Sequence, residues 1–200
     1  MNISPLFPRP VGLETVNFIS TQDRDHLLSY QTKLRPNYGN RITENTYVLE
    51  DKELTNLKQN LESALNNFFY EVYKAKQCKL YITQSWLNFA EKEEFHHRHW
   101  HPNSFMSGVL YLQTIPDDKI VFTSNLEHLN VFEFDSEEFT LFNSNTWWMP
   151  VEDNSLIFFP SNMNHEVNKN TSSTTRISLA FNSYIKGSVG NAPDLKKLNL

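Results

Sequence analysis

At Lys79 the sequence changes rhythm, and that change limits the folds open to the chain more than any other feature. Before it, residues 51–76 carry Leu54, Leu57, Leu61, Leu65, Phe68 and Val72 at spacings of three and four, the stripe of an amphipathic helix that covers a sheet. After it, the apolar residues fall in short runs rich in Val, Ile, Phe, Tyr and Thr. Strands are predicted near 79–89, 95–101, 105–113, 119–123, 130–134, 139–142, 155–159, 165–168 and 175–184. Turn formers such as PDD (116–118), NSN (143–145), EDN (152–154) and PSN (160–162) separate many of them. Such a series, without βαβ alternation, predicts a mainly β chain with N-terminal helices, built as a sandwich or jelly roll. A first helix is predicted over 20–34, where Ser20 or Thr21 serves as N-cap and acids fill the first turn.

A chain of 200 residues fits one domain with a core of its own. The pattern divides it into a helical support over 1–78, a jelly-roll core over 79–185 and a loosely ordered tail over 186–200. The net charge of −5, with Lys and Arg scattered, argues against a dedicated nucleic-acid binder. It leaves room for an anionic substrate held by one local arginine. Cys78 is the single cysteine, so no internal disulfide forms and a reducing compartment is expected. The opening MNISPLFPRPVGLETV lacks the basic and apolar regions of a signal peptide, and no apolar run approaches the roughly 18 residues of a membrane span. A soluble, cytoplasmic protein is the expectation.

Four of the seven histidines crowd into EFHHRHWHPNS (94–104) as His96, His97, His99 and His101. On a regular strand His97, His99 and His101 share one face, while His96, Arg98 and Trp100 share the other and look outward. Two imidazoles at i and i+2 converge on one ion and suit iron, zinc, copper or nickel alike. Both His97/His99 and His99/His101 satisfy that spacing. A remote third imidazole stands in LIFFPSNMNHEV, where His165 opens a strand after a Pro-Ser turn. Eleven residues later Arg176 shares a strand face with Ser178, Ala180 and Asn182, and a guanidinium fork matches the two oxygens of a carboxylate. His26 and His128 have no partner pattern and are expected at the surface.

In KLYITQSWLNF (79–89), Leu80, Ile82, Gln84, Trp86 and Asn88 share a face if the strand is regular. Trp86 and Asn88 then line the bore, unless Trp86 is core and Asn88 caps a turn. The tryptophans of NTWWMP (145–150) are expected to pack into the core near the mouth, and the acids of DSEEF (135–139) to form a solvated turn.

The order His-x-His, strand, remote His, Arg-x-Ser resembles the 2-oxoglutarate/Fe(II)-dependent dioxygenases of the double-stranded β-helix fold. The layout is most similar to the prolyl-hydroxylase-like branch, including oxygenases found in phages and marine bacteria. In that family an H-x-D motif ends one strand and is followed by a turn and a strand carrying a tyrosine. HWHPNSFMSGVLYLQ fits, with Tyr111 twelve residues after His99, and the likeness covers roughly residues 79–185. It implies that His99, His101 and His165 hold Fe(II), and that Arg176, Ser178 and Tyr111 bind the distal carboxylate of 2-oxoglutarate. His97, Trp86, Asn88 and Asn182 would be pocket residues. The implied reaction uses O2 to decarboxylate 2-oxoglutarate to succinate and CO2 while hydroxylating an unidentified substrate.

The sequence departs from the family at His101, where an aspartate is usual. Three neutral imidazoles leave the iron centre dicationic, and dianionic 2-oxoglutarate then makes a neutral complex rather than an anionic one. Three histidines also suit zinc or nickel. Two alternatives follow: a cupin-like hydrolase or isomerase on such a metal, and a catalytically silent jelly-roll module.

Overall fold

The computed structural model describes residues 1–124 and 135–200. Twelve strands and two α-helices are found among them. In chain order the strands are β1 Gly12–Thr15, β2 Leu34–Pro36, β3 Arg41–Thr43, β4 Cys78–Ala90, β5 His96–His99, β6 Met106–Gln113, β7 Lys119–Thr123, β8 Thr146–Pro150, β9 Ser155–Pro160, β10 Asn164–Val167, β11 Arg176–Val189 and β12 Leu198–Asn199. The larger sheet has eight strands, ordered β1-β9-β6-β11-β4-β3-β2, with β12 paired to β11; the smaller has four, ordered β5-β10-β7-β8. All strand pairs are antiparallel. The two antiparallel sheets form the jelly roll that the strand rhythm predicts, arranged as the double-stranded β-helix that the resemblance implies.

Helix α1 (Thr21–Ser29) begins with a capping box: Ser20 Oγ accepts from the Asp23 amide at 3.0 Å, and Asp23 Oδ2 accepts from the Ser20 amide at 3.0 Å. Helix α2 (Thr55–Tyr73) lies over the larger sheet and buries Leu57, Leu61, Leu65 and Phe69. Phe69, rather than the expected Phe68, takes the deep position; Phe68 is half-buried and stacks on Phe158 at 5.5 Å. The helix ends at Lys74, whose left-handed backbone (φ 49) directs its N–H to the Tyr70 carbonyl. Along the half of β4 that β3 does not reach, α2 stands in for a neighbouring strand. Asn66 donates to the Leu80 carbonyl at 2.9 Å and accepts from its amide at 2.8 Å, and Glu62 accepts from the Ile82 amide at 3.0 Å. Those bonds close an edge that would otherwise be an unpaired ladder.

Several expectations are corrected. The first 78 residues contribute strands β1–β3 as well as helices. Residues 139–142 run through irregular and turn backbone rather than a strand, and β8 is a further strand that was not predicted. There the period of two splits the tryptophans. Trp147 is half-buried, and Trp148 is exposed with the Lys119 ammonium 5.3 Å from its ring, so neither is core. The tail is folded back, with β12 paired to Ser188 and Val189. His26 bonds to Asp51 at 3.0 Å rather than standing free. The acids of DSEEF are exposed, as expected. The predicted strand at 130–134 and His128 lie outside the described residues.

A bulge in β4 matters most for the interior. Asn182 pairs with Gln84 but Ser183 with Ile82, so Thr83 is the extra residue and the side-chain alternation reverses across it. Leu80 and Ile82 therefore join Leu87 and Phe89 under α2, while Trp86 and Asn88 turn to the space between the sheets. The expected common face of Leu80 through Asn88 is broken at that point.

Leu61 is fully buried beneath α2, so Leu61→Ala is expected to lower stability by about 2–5 kcal/mol in urea denaturation. The exposed neighbour Tyr70→Ala should change it by no more than about 0.5 kcal/mol.

Candidate metal centre

The smaller sheet supplies two imidazoles through one strand pair. His99, the last residue of β5, sits directly opposite His165 on β10. The next register point pairs Val167 with His96, three residues along β5 against two along β10. The extra residue reverses the alternation, which overturns the expected orientation of two histidines. His96 faces the pocket, its ring stacked on His99 at 4.4 Å. His97 turns to the rim, where its Nδ1 meets the Tyr38 carbonyl at 3.2 Å and its ring packs against Tyr38 at 5.1 Å. His101 lies two residues past the end of β5, held there by its amide on the Ser161 carbonyl at 2.8 Å. It is buried, whereas the intervening Trp100 is exposed.

His99, His101 and His165 thus meet, with one ring nitrogen of each within 4.8 Å of the others. Each ring has an acceptor behind Nδ1: the His97 carbonyl at 2.7 Å for His99, the Met163 carbonyl at 3.0 Å for His165, and Asn182 Oδ1 for His101. Donation from Nδ1–H fixes the tautomer and leaves Nε2 as the ligating lone pair. Asn182 is itself held by the Ser107 hydroxyl, which donates to the same oxygen at 3.0 Å. Asn182 therefore stands behind His101 rather than lining the pocket.

Electrostatics favour a cation between these rings. Burial pushes His99 down to about 4, and burial is also the leading cause that lowers His101, His165 and His96. Neutral imidazoles then present the Nε2 lone pairs of His99 and His101 to each other at 3.1 Å. A first-row divalent ion bound at about 2.0–2.1 Å from each nitrogen removes that repulsion. The donor set fits such an ion.

Beyond the histidines the pocket runs between the sheets past Trp86, Asn88, Tyr111, Ser178 and Arg176. The Trp86 ring lies 5.6 Å from that of His101. Tyr111 Oη and Asn88 Oδ1 are buried without a hydrogen-bond partner, and burial raises the Tyr111 hydroxyl far above its ordinary range. An unpaired buried polar atom costs about 1–3 kcal/mol, so this wall is built for a polar guest. Arg176 is buried with Asp118, whose Oδ1 and Oδ2 accept from its Nε at 3.0 and 2.9 Å. Its Nη1 donates to the Asn168 carbonyl at 3.1 Å. Nη2 has no hydrogen-bond partner among the described residues. Asp118 and His96 were missed in the sequence: the first hid in a turn, the second behind a bulge that no side-chain pattern announces.

Residues 84–182 match the model of a family described as "Putative 2OG-Fe(II) oxygenase". Among solved structures, the chain is similar to a 2OG-Fe(II) oxygenase family oxidoreductase from Burkholderia pseudomallei, with TM-score 0.60, 13% identity, and 86% of this chain and 83% of the other covered. It is also similar to the non-heme alpha-ketoglutarate-dependent carbocyclase SnoK of nogalamycin biosynthesis (TM-score 0.59, 13% identity, 88% and 79% covered). A third similar structure is a prolyl-4-hydroxylase from Pseudomonas putida (TM-score 0.52, 14% identity, 88% and 94% covered). At these identities the likeness speaks for the fold. No curated protein matches the sequence.

The purified protein is expected to bind one equivalent of Fe(II), Ni(II) or Zn(II) in calorimetry, and His165→Ala to weaken that binding at least about a hundredfold. A pH dependence follows for the metal-free chain. His99 titrates near 4 when folded but near the ordinary imidazole value of about 6.5 when unfolded, so the unfolded state binds more protons between those values. Stability is present above pH 6.5 and is lost as pH falls toward 4. Melting temperatures should follow that slope, and His99→Gln should flatten it.

Proposed function

Because the chain belongs to the 2-oxoglutarate/Fe(II)-dependent oxygenase superfamily, we propose that His99, His101 and His165 hold its iron and that Arg176, Ser178 and Tyr111 seat 2-oxoglutarate. The enzyme couples decarboxylation of 2-oxoglutarate to succinate and CO2 with hydroxylation of a second substrate, one atom of O2 entering succinate and the other the hydroxylated substrate. Bound Fe(II) supplies the redox chemistry that O2 requires.

The chain's own residues do the positioning. Nδ1 donation by the three histidines keeps each Nε2 aimed at one point. Arg176, fixed by Asp118 through Nε, keeps Nη2 for the distal carboxylate of the co-substrate. The Tyr111 hydroxyl donates to the same carboxylate, and Ser178, on the same face of β11, lies beside it. Trp86, Val109, Ile120 and Ala180 make the remaining walls apolar and restrict water. The single observation that carries this reading is the orphaned Tyr111 hydroxyl, buried in the same pocket as the three converging imidazoles and Arg176. A zinc or nickel hydrolase has no use for that group or for the arginine. The unpaired Cys78 fits a reducing, cytoplasmic setting. Among the described residues no helix is long and apolar enough to cross a membrane.

Anaerobic loading with Fe(II) and 2-oxoglutarate, then admission of O2, should yield succinate; none above a metal-free control would overturn the activity. Arg176→Lys keeps the charge but loses the fork, and should weaken 2-oxoglutarate binding about tenfold or more in calorimetry. Tyr111→Phe should weaken it several-fold, while the ligand-free protein melts no lower than wild type because an unsatisfied buried hydroxyl is gone. Equal affinity in wild type and both variants would sink the carboxylate seat.

A further inference from the structure

The buried pair of Arg176 and Asp118 has a consequence for the departure at His101. With three neutral imidazoles as ligands, a divalent metal keeps its full double positive charge. No acid lines the pocket among the described residues, and Arg176 adds one further positive charge. Asp118 removes it. Its carboxylate is 2% exposed and receives the Arg176 Nε on both oxygens; among the described residues it is otherwise met only by the Lys119 amide at 3.0 Å and the Ile115 amide at 3.4 Å. Metal, arginine and Asp118 therefore sum to plus two, which a dianionic co-substrate cancels. The same sum results when an acid is a metal ligand and the arginine stands unpaired. An uncompensated charge in a buried site is strongly unfavourable, so the total matters more than which residue carries it.

We propose that Asp118 supplies, behind Arg176, the negative charge that its three-histidine centre lacks. Asp118 is then a positioning residue with an electrostatic duty, and His101 and Asp118 form one coupled pair across the pocket. The proposal rests on the oxygenase reading of the site. One consequence runs against intuition: restoring an acid by His101→Asp does not improve the site. It leaves the loaded complex with a net negative charge.

The test is a double-mutant cycle of H101D, D118N and both together, with two readouts. The first is 2-oxoglutarate affinity of the Fe(II)-loaded proteins, measured anaerobically by calorimetry. H101D is expected to lose about tenfold or more, and H101D/D118N to recover most of that loss. The second is the melting temperature without metal. D118N leaves Arg176 buried and unpaired and should melt well below wild type; adding H101D returns a carboxylate to the pocket and should raise it again. A purely structural role for Asp118 in its turn predicts no such rescue. H101D binding as tightly as wild type, losses that simply add, or no recovery in melting temperature would each overturn the proposal. Should D118N fail to fold, the affinity of H101D decides alone. Wild type that binds metal but not 2-oxoglutarate would bring down the oxygenase reading and this proposal together. Intact wild-type binding with additive losses would bring down only the proposal.

Discussion

The site depends on one cross-strand pair. His99 and His165 face each other where β5 meets β10, and the antiparallel ladder fixes the distance between their backbones. Two rings opposite each other on neighbouring strands can share an ion without either leaving its strand. His101, past the end of β5, is brought back by the backbone bond to Ser161 and by Asn182 behind its ring. The proposed metal set thus consists of a cross-strand pair and a third histidine whose place is set by hydrogen bonds.

Burial gives the second constraint. Imidazoles in a dry interior stay neutral, and neutrality is what a ligand needs. The same dryness makes every fixed charge expensive unless another answers it. Arg176 is answered by Asp118, and the guanidinium leaves Nη2 without a hydrogen-bond partner among the described residues. Tyr111 and Asn88 are left unanswered, and they lie on the wall where a polar guest has most to gain. Stability is given up there, in the pattern expected of a site rather than of a core.

Much of this was legible in the residues. The leucine stripe gave α2, with one shift from Phe68 to Phe69, because neighbouring aromatics on a helix differ by only one step around it. An N-cap at Ser20 or Thr21 was expected from local residues, and the structure selects Ser20, in a capping box with Asp23. Strands β4, β6, β7, β9 and β11 fall where apolar runs between turn formers put them. Strands β1, β2 and β3 were not seen. They are three or four residues long, and tertiary pairing rather than their own sequence makes them strands, β1 on β9, β3 on β4 and β2 on β3.

The residue types and their order determined by themselves that imidazoles, an arginine and a tyrosine belong to a β-rich chain with helices before it. Spacing narrowed the histidines to two pairs, and resemblance to a family chose between them. Only the tertiary structure decided which way each one points. Side-chain parity along a strand holds until a bulge, and bulges arise from how two strands accommodate each other. One bulge exchanged His96 and His97 between pocket and rim, and another separated Trp86 from Leu80. Asp118 became part of the site for the same reason: a turn residue acquires meaning only when folding sets it beside Arg176, 58 positions away.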